Sequence, residues 1–449
     1  MKSELSYEEC MSFIHGAKRF SDNPGLKRTK EILRALGSPQ DSLKIVHVAG
    51  TNGKGSVTAM ISSVLKEAGY SVGMYTSPYL EEFEERIQIN NVNISKKRLA
   101  YYAGLVKYAV KKASEKGLGY PNEFEIITCI MFKYFADEKV DYAVVEVGLG
   151  GRLDATNVIK PVLSVITAIS YDHMNVLGNT LGEIAEEKAG IIKNGIPVVS
   201  SAQKKEVIDA LIKNAESKVA EISFVNNNSF TVIEAKREDM CQLVEVKTDK
   251  ANYKILLNLL GTYQVSNCAL AVNALEKLID SGVEISMDNM LIGLNKTRWI
   301  GRMEVLSRNP LIVIDGAHNI DGIKKLKEST SKYFLYKKLI LILGILADKD
   351  TNMMLDEISS IADYIIFTLP HSLRAEDPYN LYEKTYDKSR CFVIESYEEA
   401  LKKAELLAND CDMILCAGSL YMIGDMRKVI LNDKEIRERV EIHCTGLLI

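Results

Sequence analysis

Residues 44–56 read KIVHVAGTNGKGS, and this stretch decides the fold. Its first part, KIVHVA at 44–49, is an apolar run of strand length. Its second part, GTNGKGS at 50–56, is a glycine-rich turn, and an apolar helical pattern follows from about residue 56 to 68. Backbone N–H groups at a helix start, freed by glycines to approach closely, can cradle an anion. Lys54 adds a point charge that reaches a β- or γ-phosphate. The spacing departs from the usual G-x-x-x-x-G-K-S/T pattern. Val48 occupies the first glycine's place, and Gly55 separates Lys54 from Ser56. The plain reading is a glycine turn between strand and helix. The functional reading assigns phosphate binding to Gly50, Thr51, Asn52, Gly53, Lys54, Gly55 and Ser56.

Outward from this loop, short apolar runs alternate with helical patterns. Strands are expected at 70–75, 142–147 (YAVVEV) and 163–168, and helices at 97–116, 125–138 and 180–192. Continuous apolar strands separated by helices predict a mostly parallel sheet covered on its faces. Between about 222 and 260 the runs SFTVIEA, CQLVEVKT and YKILLNL alternate apolar and polar residues, so an antiparallel patch added to the first domain is expected. A helix follows at 266–281. The α/β rhythm restarts after 295–301, with strands at 311–314, 339–343, 364–368 and 413–417. The fold class is α/β with two domains: a phosphate-loop ATPase domain at 1–296 bearing the small antiparallel sheet, and a smaller Rossmann-like domain at 297–449.

Length supports this division, since 449 residues exceed what one core usually serves. Charge is nearly balanced, with 56 Lys and Arg against 60 Asp and Glu. Nothing global calls for nucleic acid or a membrane surface. The eight cysteines are scattered without a C-x-x-C pair, which suits reduced thiols better than disulfides or zinc. The N-terminus lacks a signal-peptide core, and the longest apolar runs are strand-sized. A soluble, cytoplasmic monomer is expected.

AGTNGKGSV at 49–57 resembles the variant phosphate loop of folylpolyglutamate and dihydrofolate synthases, members of the Mur-type ligases. TSPYLEEFEERIQIN (76–90), EVGLGGRLDATN (146–157) and ITAISYDHMNVLGNTLGEIAEEKAGIIK (166–193) resemble successive blocks of the same family. So do GTYQVSNCALA (261–271), RWIGRMEV (298–305), DGAHNIDG (315–322) and GSLYMIGDMR (418–427). Two positions depart from the family pattern: Glu84 replaces a usual Asn, and Ile300 a frequent Pro.

The resemblance implies an ATP-dependent ligase that joins L-glutamate to a folate carboxylate through an acyl phosphate. Many bacterial relatives also glutamylate dihydropteroate. It implies Mg²⁺ held by Ser77, Glu146 and His173, two Mg²⁺ sites in all, and admits a monovalent cation. Taken alone, Glu146 reads as a strand-end carboxylate and His173 as a turn histidine. Lys188, flanked by Glu186 and Glu187, reads alone as a surface charge cluster; the resemblance implies a carbamylated lysine. Gln264 and Asn267 are implied to contact adenine and ribose, Asp315 the ribose, and Arg302 and His318 the ATP phosphates. The NPGLKRT loop with Arg28, and Phe124 of NEFE, are implied on the folate side, and Ser419 and residues 371–374 near the incoming glutamate. A site split between two domains would close to keep water from an acyl phosphate. Two other readings stand beside this one: a Mur-type ligase acting on a cell-wall precursor, and a non-catalytic nucleotide switch. The switch would not need Glu146, Lys188, Arg302 and His318 together.

Overall fold

The computed structural model describes residues 5–18, 25–433 and 436. Asn23 and Pro24 of the NPGLKRT loop, Cys444 and nearly all of the charged tail lie outside the described residues. The chain divides into two compact units. One is the chain through Thr231 with Val244–Leu256 and Ser266–Thr297; the other is Val232–Leu243, Leu257–Val265 and the chain from Arg298 on.

The first unit is built on eight strands: β1 (Ile45–Ala49), β2 (Val72–Tyr75), β3 (Ile87–Ile89), β4 (Val92–Asn93), β5 (Tyr142–Glu146), β6 (Leu163–Ile166), β7 (Val198–Ser200) and β8 (Ile222–Phe224). Their order is β4-β3-β2-β5-β1-β6-β7-β8. From β2 to β8 neighbours pair parallel, and β3 and β4 add an antiparallel edge. All five residues of β1 and of β5 are buried, which is why both read as unbroken apolar runs. Ile45, Tyr75, Ala143 and Val145 share one core with helices Tyr7–His15, Leu26–Ala35, Lys96–Ser114 and Glu123–Asp137. Ala49, Val147 and Ile166 share another with helices Leu181–Ala189 and Lys205–Ser217. Several helices start on a reciprocal cap, with Ser6 and Glu9, Asn122 and Glu125, and Thr180 and Glu183 each satisfying the other's backbone N–H.

β9 (Phe230–Lys236), β10 (Cys241–Lys247) and β11 (Asn252–Leu257) form a three-stranded sheet in the order β11-β10-β9. The boundary between units runs through it: Cys241–Leu243 of β10 lie in the second unit and the rest in the first. Within the second unit, the buried Gln242 side chain donates to the Leu259 and Gly261 carbonyls and accepts from the Tyr333 hydroxyl.

The second unit carries β12 (Glu304–Arg308), β13 (Leu311–Ile314), β14 (Leu339–Leu343), β15 (Tyr364–Phe367), β16 (Cys391–Val393) and β17 (Met413–Ala417), ordered β12-β13-β17-β14-β15-β16. All neighbours pair parallel except the edge strand β12. The seven described cysteines are free thiols, and no described helix is long and apolar enough to cross a membrane.

Helix Lys54–Glu67, which leaves the phosphate loop, is buried from Ser56 through Leu65 and packs on β1, β2 and β5. Helix Met287–Lys296 lies against it, close enough that a Cβ on Gly293 would stand 2.5 Å from the Val64 Cα. The Ser63 hydroxyl donates to the Gly293 carbonyl at 2.6 Å across the same contact. Gly293→Ala gains about 1 kcal/mol of helix propensity but meets backbone that cannot yield, and overpacking costs about 1–3 kcal/mol. A lower urea midpoint is expected for this variant; a raised midpoint would contradict the contact.

Candidate active site

Gly50 leaves β1 with φ 146° and Gly53 precedes the helix with φ 92°. Neither position has room for a side chain. A Cβ on Gly50 would lie 1.8 Å from the Thr167 Oγ1, and one on Gly53 2.3 Å from the Asn267 Oδ1. The loop is pinned from one side: the Thr51 and Asn52 N–H groups both donate to the Ala168 carbonyl, and the Thr51 hydroxyl donates to the Ser170 carbonyl. The first turn of helix Lys54–Glu67 has no side-chain cap. A helix start of this kind is a ready anion site.

Two lysines meet here. Lys54 Nζ donates to the Thr51 carbonyl at 3.1 Å and stands 4.0 Å from Glu146 Oε1. Lys188 reaches in from helix Leu181–Ala189 and donates to the Gly50 carbonyl at 2.7 Å. It is buried rather than part of a surface cluster. Burial pushes its amine down to about 7, and the nearby Lys54 charge adds to the effect. Glu146 closes β5, is buried, and accepts from the Ser77 N–H at 3.2 Å. The turn after it packs on the Lys188 helix, since the Arg152 N–H donates to the Glu187 carbonyl at 2.8 Å.

His173 sits at φ 51° just before the short helix Met174–Leu177, its Nε2 3.8 Å from Asp172 Oδ1. Non-glycine residues seldom hold that conformation without a local reason. Among the described residues no group of three or more His, Cys, Asp or Glu side chains forms a metal cluster. The set Ser77, Glu146 and His173 is leaner: one hydroxyl, one carboxylate and one imidazole. The Ser77 hydroxyl and the Glu146 carboxylate, on residues joined by the Ser77 N–H, are oxygen donors of the kind Mg²⁺ takes beside waters and phosphate oxygens.

Arg28 and Phe124 are placed differently from the loop residues. The Arg28 guanidinium is buried and forked onto Glu125, with Nη2 2.7 Å from Oε2 and Nε 3.1 Å from each oxygen. It therefore fixes the start of helix Glu123–Asp137. Phe124, on that helix, packs beside Tyr75 and beneath Gly148, where a Cβ would lie 2.5 Å from its ring. Arg28 thus acts through Glu125 on a ring under the turn that follows Glu146.

In the second unit the carboxyl ends of β13 and β17 carry the predicted residues. Asp315 is buried and accepts from the Met303 N–H at 2.9 Å, the Ala317 N–H at 2.8 Å and the Tyr263 hydroxyl at 2.7 Å. Burial raises its carboxyl, while the nearby Arg302 charge and these donors oppose the rise. Arg302 lies against Gly316, where a Cβ would be 1.8 Å from Nη1. His318 Nδ1 is 2.8 Å from the Gly316 carbonyl, which can only accept, so Nδ1 carries the proton. Gln264 is fully buried. Ser419 is fully buried at the start of helix Leu420–Asn432, and its hydroxyl has no hydrogen-bond partner among the described residues.

The structure brings Gly50–Ser56, Ser77, Glu146, Lys188 and Asn267 together in the first unit, and Arg302, Asp315 and His318 together in the second. Sequence reasoning missed Tyr263, which anchors Asp315. It also missed Glu85, whose carboxylate takes the N–H groups of Leu80, Glu81 and Glu82 and so shapes the loop after Ser77. An acidic run offers no signal for which carboxylate will turn inward.

The family described as Mur ligase middle domain matches residues 48–275, and that described as Mur ligase, glutamate ligase domain matches 301–420. The dihydrofolate synthase/folylpolyglutamate synthase of Bacillus subtilis is 38% identical, with 94% of this chain and 99% of that protein aligned. A Mycobacterium tuberculosis folylpolyglutamate synthase solved with ADP superposes with a TM-score of 0.89 at 30% identity, covering 95% of this chain and 99% of the other. An FPGS–AMPPCP–folate complex does so with a TM-score of 0.84 at 33% identity, covering 95% and 100%. With both Mur-ligase regions matched and relatives aligned almost end to end, the chain belongs to the folylpolyglutamate synthase/dihydrofolate synthase family of Mur-type ligases.

Proposed function

We propose that this chain is an ATP-dependent ligase that adds L-glutamate to the carboxylate of a folate or folylpolyglutamate, and that it also accepts dihydropteroate. The observation that carries the reading is the convergence of Lys54, Lys188 and Glu146 on one glycine loop. The B. subtilis relative is named for both reactions, and a related structure was solved with folate and an ATP analogue. Residues 1–296 supply the ATP and folate side, and residues 297–449 the glutamate side.

The reaction needs little covalent chemistry from the protein. A substrate carboxylate oxygen attacks the γ-phosphorus, the bond to the β-phosphate oxygen breaks, and ADP leaves. The resulting acyl phosphate has an electrophilic carbonyl. The glutamate amine attacks it, the tetrahedral intermediate expels phosphate, and a proton leaves the nitrogen. Loop amides and Lys54 hold the β- and γ-phosphates. Asn267 and Gln264 are assigned to the adenosine, and Arg302 and His318 to the transferring group. Phe124 offers a flat ring to the folate. Ser419, with its uncommitted hydroxyl at a helix start, takes a carboxylate of glutamate. Ser77, Glu146 and His173 would hold Mg²⁺, which supplies charge neutralisation for phosphoryl transfer.

Lys188 is carbamylated in the working enzyme. Its amine is poised for this, because only the neutral form attacks CO₂ and burial makes that form accessible near neutral pH. The new N–C bond forms as a proton is lost, and a buried cation becomes an anion beside Lys54.

ADP release from ATP and Mg²⁺ is expected to require both glutamate and an acid, with tetrahydrofolate and dihydropteroate offered in parallel and a uridine-linked muropeptide as control. Lys54→Ala should lower turnover by about 10²-fold or more, the scale for losing one donor to developing charge. Release driven by the muropeptide alone, or by neither acid, would contradict the proposal.

A second expectation concerns Lys188 in bicarbonate-free buffer. Its folded value of about 7 lies below that of an unfolded lysine, so the unfolded chain binds the extra proton between the two. The cost of the buried cation is full below pH 7 and is relieved as pH rises. Relative to Lys188→Met, the unmodified protein should gain up to about 1.4 kcal/mol per pH unit above pH 7. Urea denaturation at pH 7 and 9 measures this, and a pH-independent difference would contradict the assignment.

A further inference from the structure

His47 lies in the middle of β1, fully buried, between Val145 of β5 and Ser164 of β6. The ligase chemistry above makes no use of it. Its Nε2 is 2.8 Å from the Thr156 Oγ1, while its Nδ1 has no hydrogen-bond partner among the described residues. An unsatisfied polar atom inside a sheet is a standing cost, which a leucine of similar size would avoid.

The hydrogen-bond pattern fixes the state of the ring. Thr156 has one hydroxyl proton, and that hydroxyl donates to Asp154 Oδ1. The same carboxylate accepts the Thr156 N–H on Oδ1 and the Leu149 N–H on Oδ2, each at 2.9 Å. With its proton committed, the Thr156 oxygen can only accept, so His47 must donate from Nε2. Burial, with Lys193's charge second, pushes the imidazole down to about 3, so the ring stays neutral.

The chain of contacts that starts at His47 returns to the strand it left. Asp154 closes the turn that follows Glu146. That turn packs on helix Leu181–Ala189, where a Cβ on Gly151 would lie 2.7 Å from the Glu187 carbonyl oxygen. The helix carries Lys188, which donates to the carbonyl of Gly50, the first residue past β1. Backbone and side chain thus form a closed circuit around the phosphate loop, and His47 is its link inside the sheet.

We propose that His47 is a positioning residue: through Thr156 and Asp154 its neutral Nε2–H sets where the Glu146 turn stands relative to the phosphate loop. This rests on the ligase reading, and part of its test does not depend on activity. Long-range ¹H–¹⁵N NMR of the unaltered protein should show His47 protonated at Nε2, bare at Nδ1 and unchanged from pH 6 to 9. The opposite tautomer, or a titration in that range, would overturn the proposal even if the protein proves to be a ligase of another acid.

Variants test the consequence. His47→Leu should lower kcat for glutamate-dependent ADP release by about 10–100-fold, the usual scale for losing an outer partner of a site. KM for ATP should stay within about threefold, because the loop amides remain. His47→Gln, whose amide can donate to the same hydroxyl, should recover most of kcat. Thr156→Val should match the His47→Leu loss, and the double variant should lose no more, since both cut one relay. A lower Tm with kcat intact in His47→Leu, or losses that multiply in the double variant, would overturn it. Should His47→Leu fail to fold, the tautomer and the Gln and Val variants still decide.

Discussion

Two ammonium groups crowd one glycine loop, and the first unit is arranged around that fact. Lys54 and Lys188 both donate to carbonyl oxygens of residues 50 and 51; Glu146 is a countercharge beside Lys54, and the Asp172 and Asp154 charges act on Lys188. Like charges so placed repel, and burial makes the repulsion stronger because little water screens it. The arrangement is tolerable if Lys188 sheds its proton or gains a negative group, and if an anion occupies the loop. A triphosphate would meet the second condition and a carbamate the first. The same crowding would be a plain liability in a chain that bound no anion.

The sheet sets where the loop and Glu146 meet, and the helices Lys54–Glu67 and Leu181–Ala189 carry the two lysines to them. β1, β5 and β6 are parallel neighbours, so Gly50, Glu146 and the segment from Thr167 to Ser170 leave it at the same edge. The second unit repeats the rule with Asp315 after β13 and Ser419 after β17. Asp315 differs from a free ligand in one respect. Three donors of its own unit already occupy it, so it knots the backbone at Met303 and Ala317 as well as bearing charge.

Much of this was legible in the sequence for a physical reason. A strand buried on both faces must be continuously apolar, and a loop that approaches an anion must be rich in glycine, so KIVHVAGTNGKGS carried both signals. The helix after it begins at Lys54, two residues before the apolar pattern does, because Gly53 is its cap and the first turn faces the loop. Helices Tyr7–His15, Leu26–Ala35 and Lys205–Ser217 were not foreseen: the first two precede β1 and so lie outside the strand–helix rhythm, and the third joins β7 to β8, strands of only three residues each, with no side-chain cap to mark its start. Arg28 and Glu125 are 97 residues apart, and no local pattern pairs them. Lys188 reads as part of a charge run because its neighbours are acidic, yet its side chain alone turns inward. His47 was in plain view as the polar residue of an apolar strand, but its partner Thr156 becomes adjacent only when β1 and the turn after β5 are assembled.

The central claim is that the loop at residues 50–56 holds a triphosphate whose terminal phosphoryl group passes to a carboxylate. Tetrahydrofolate or dihydropteroate labelled with ¹⁸O in the accepting carboxylate, turned over with ATP and glutamate, tests it most directly. The account predicts one ¹⁸O atom in each inorganic phosphate released, carried there by the acyl phosphate. Amide formation with ¹⁸O-free phosphate would contradict it.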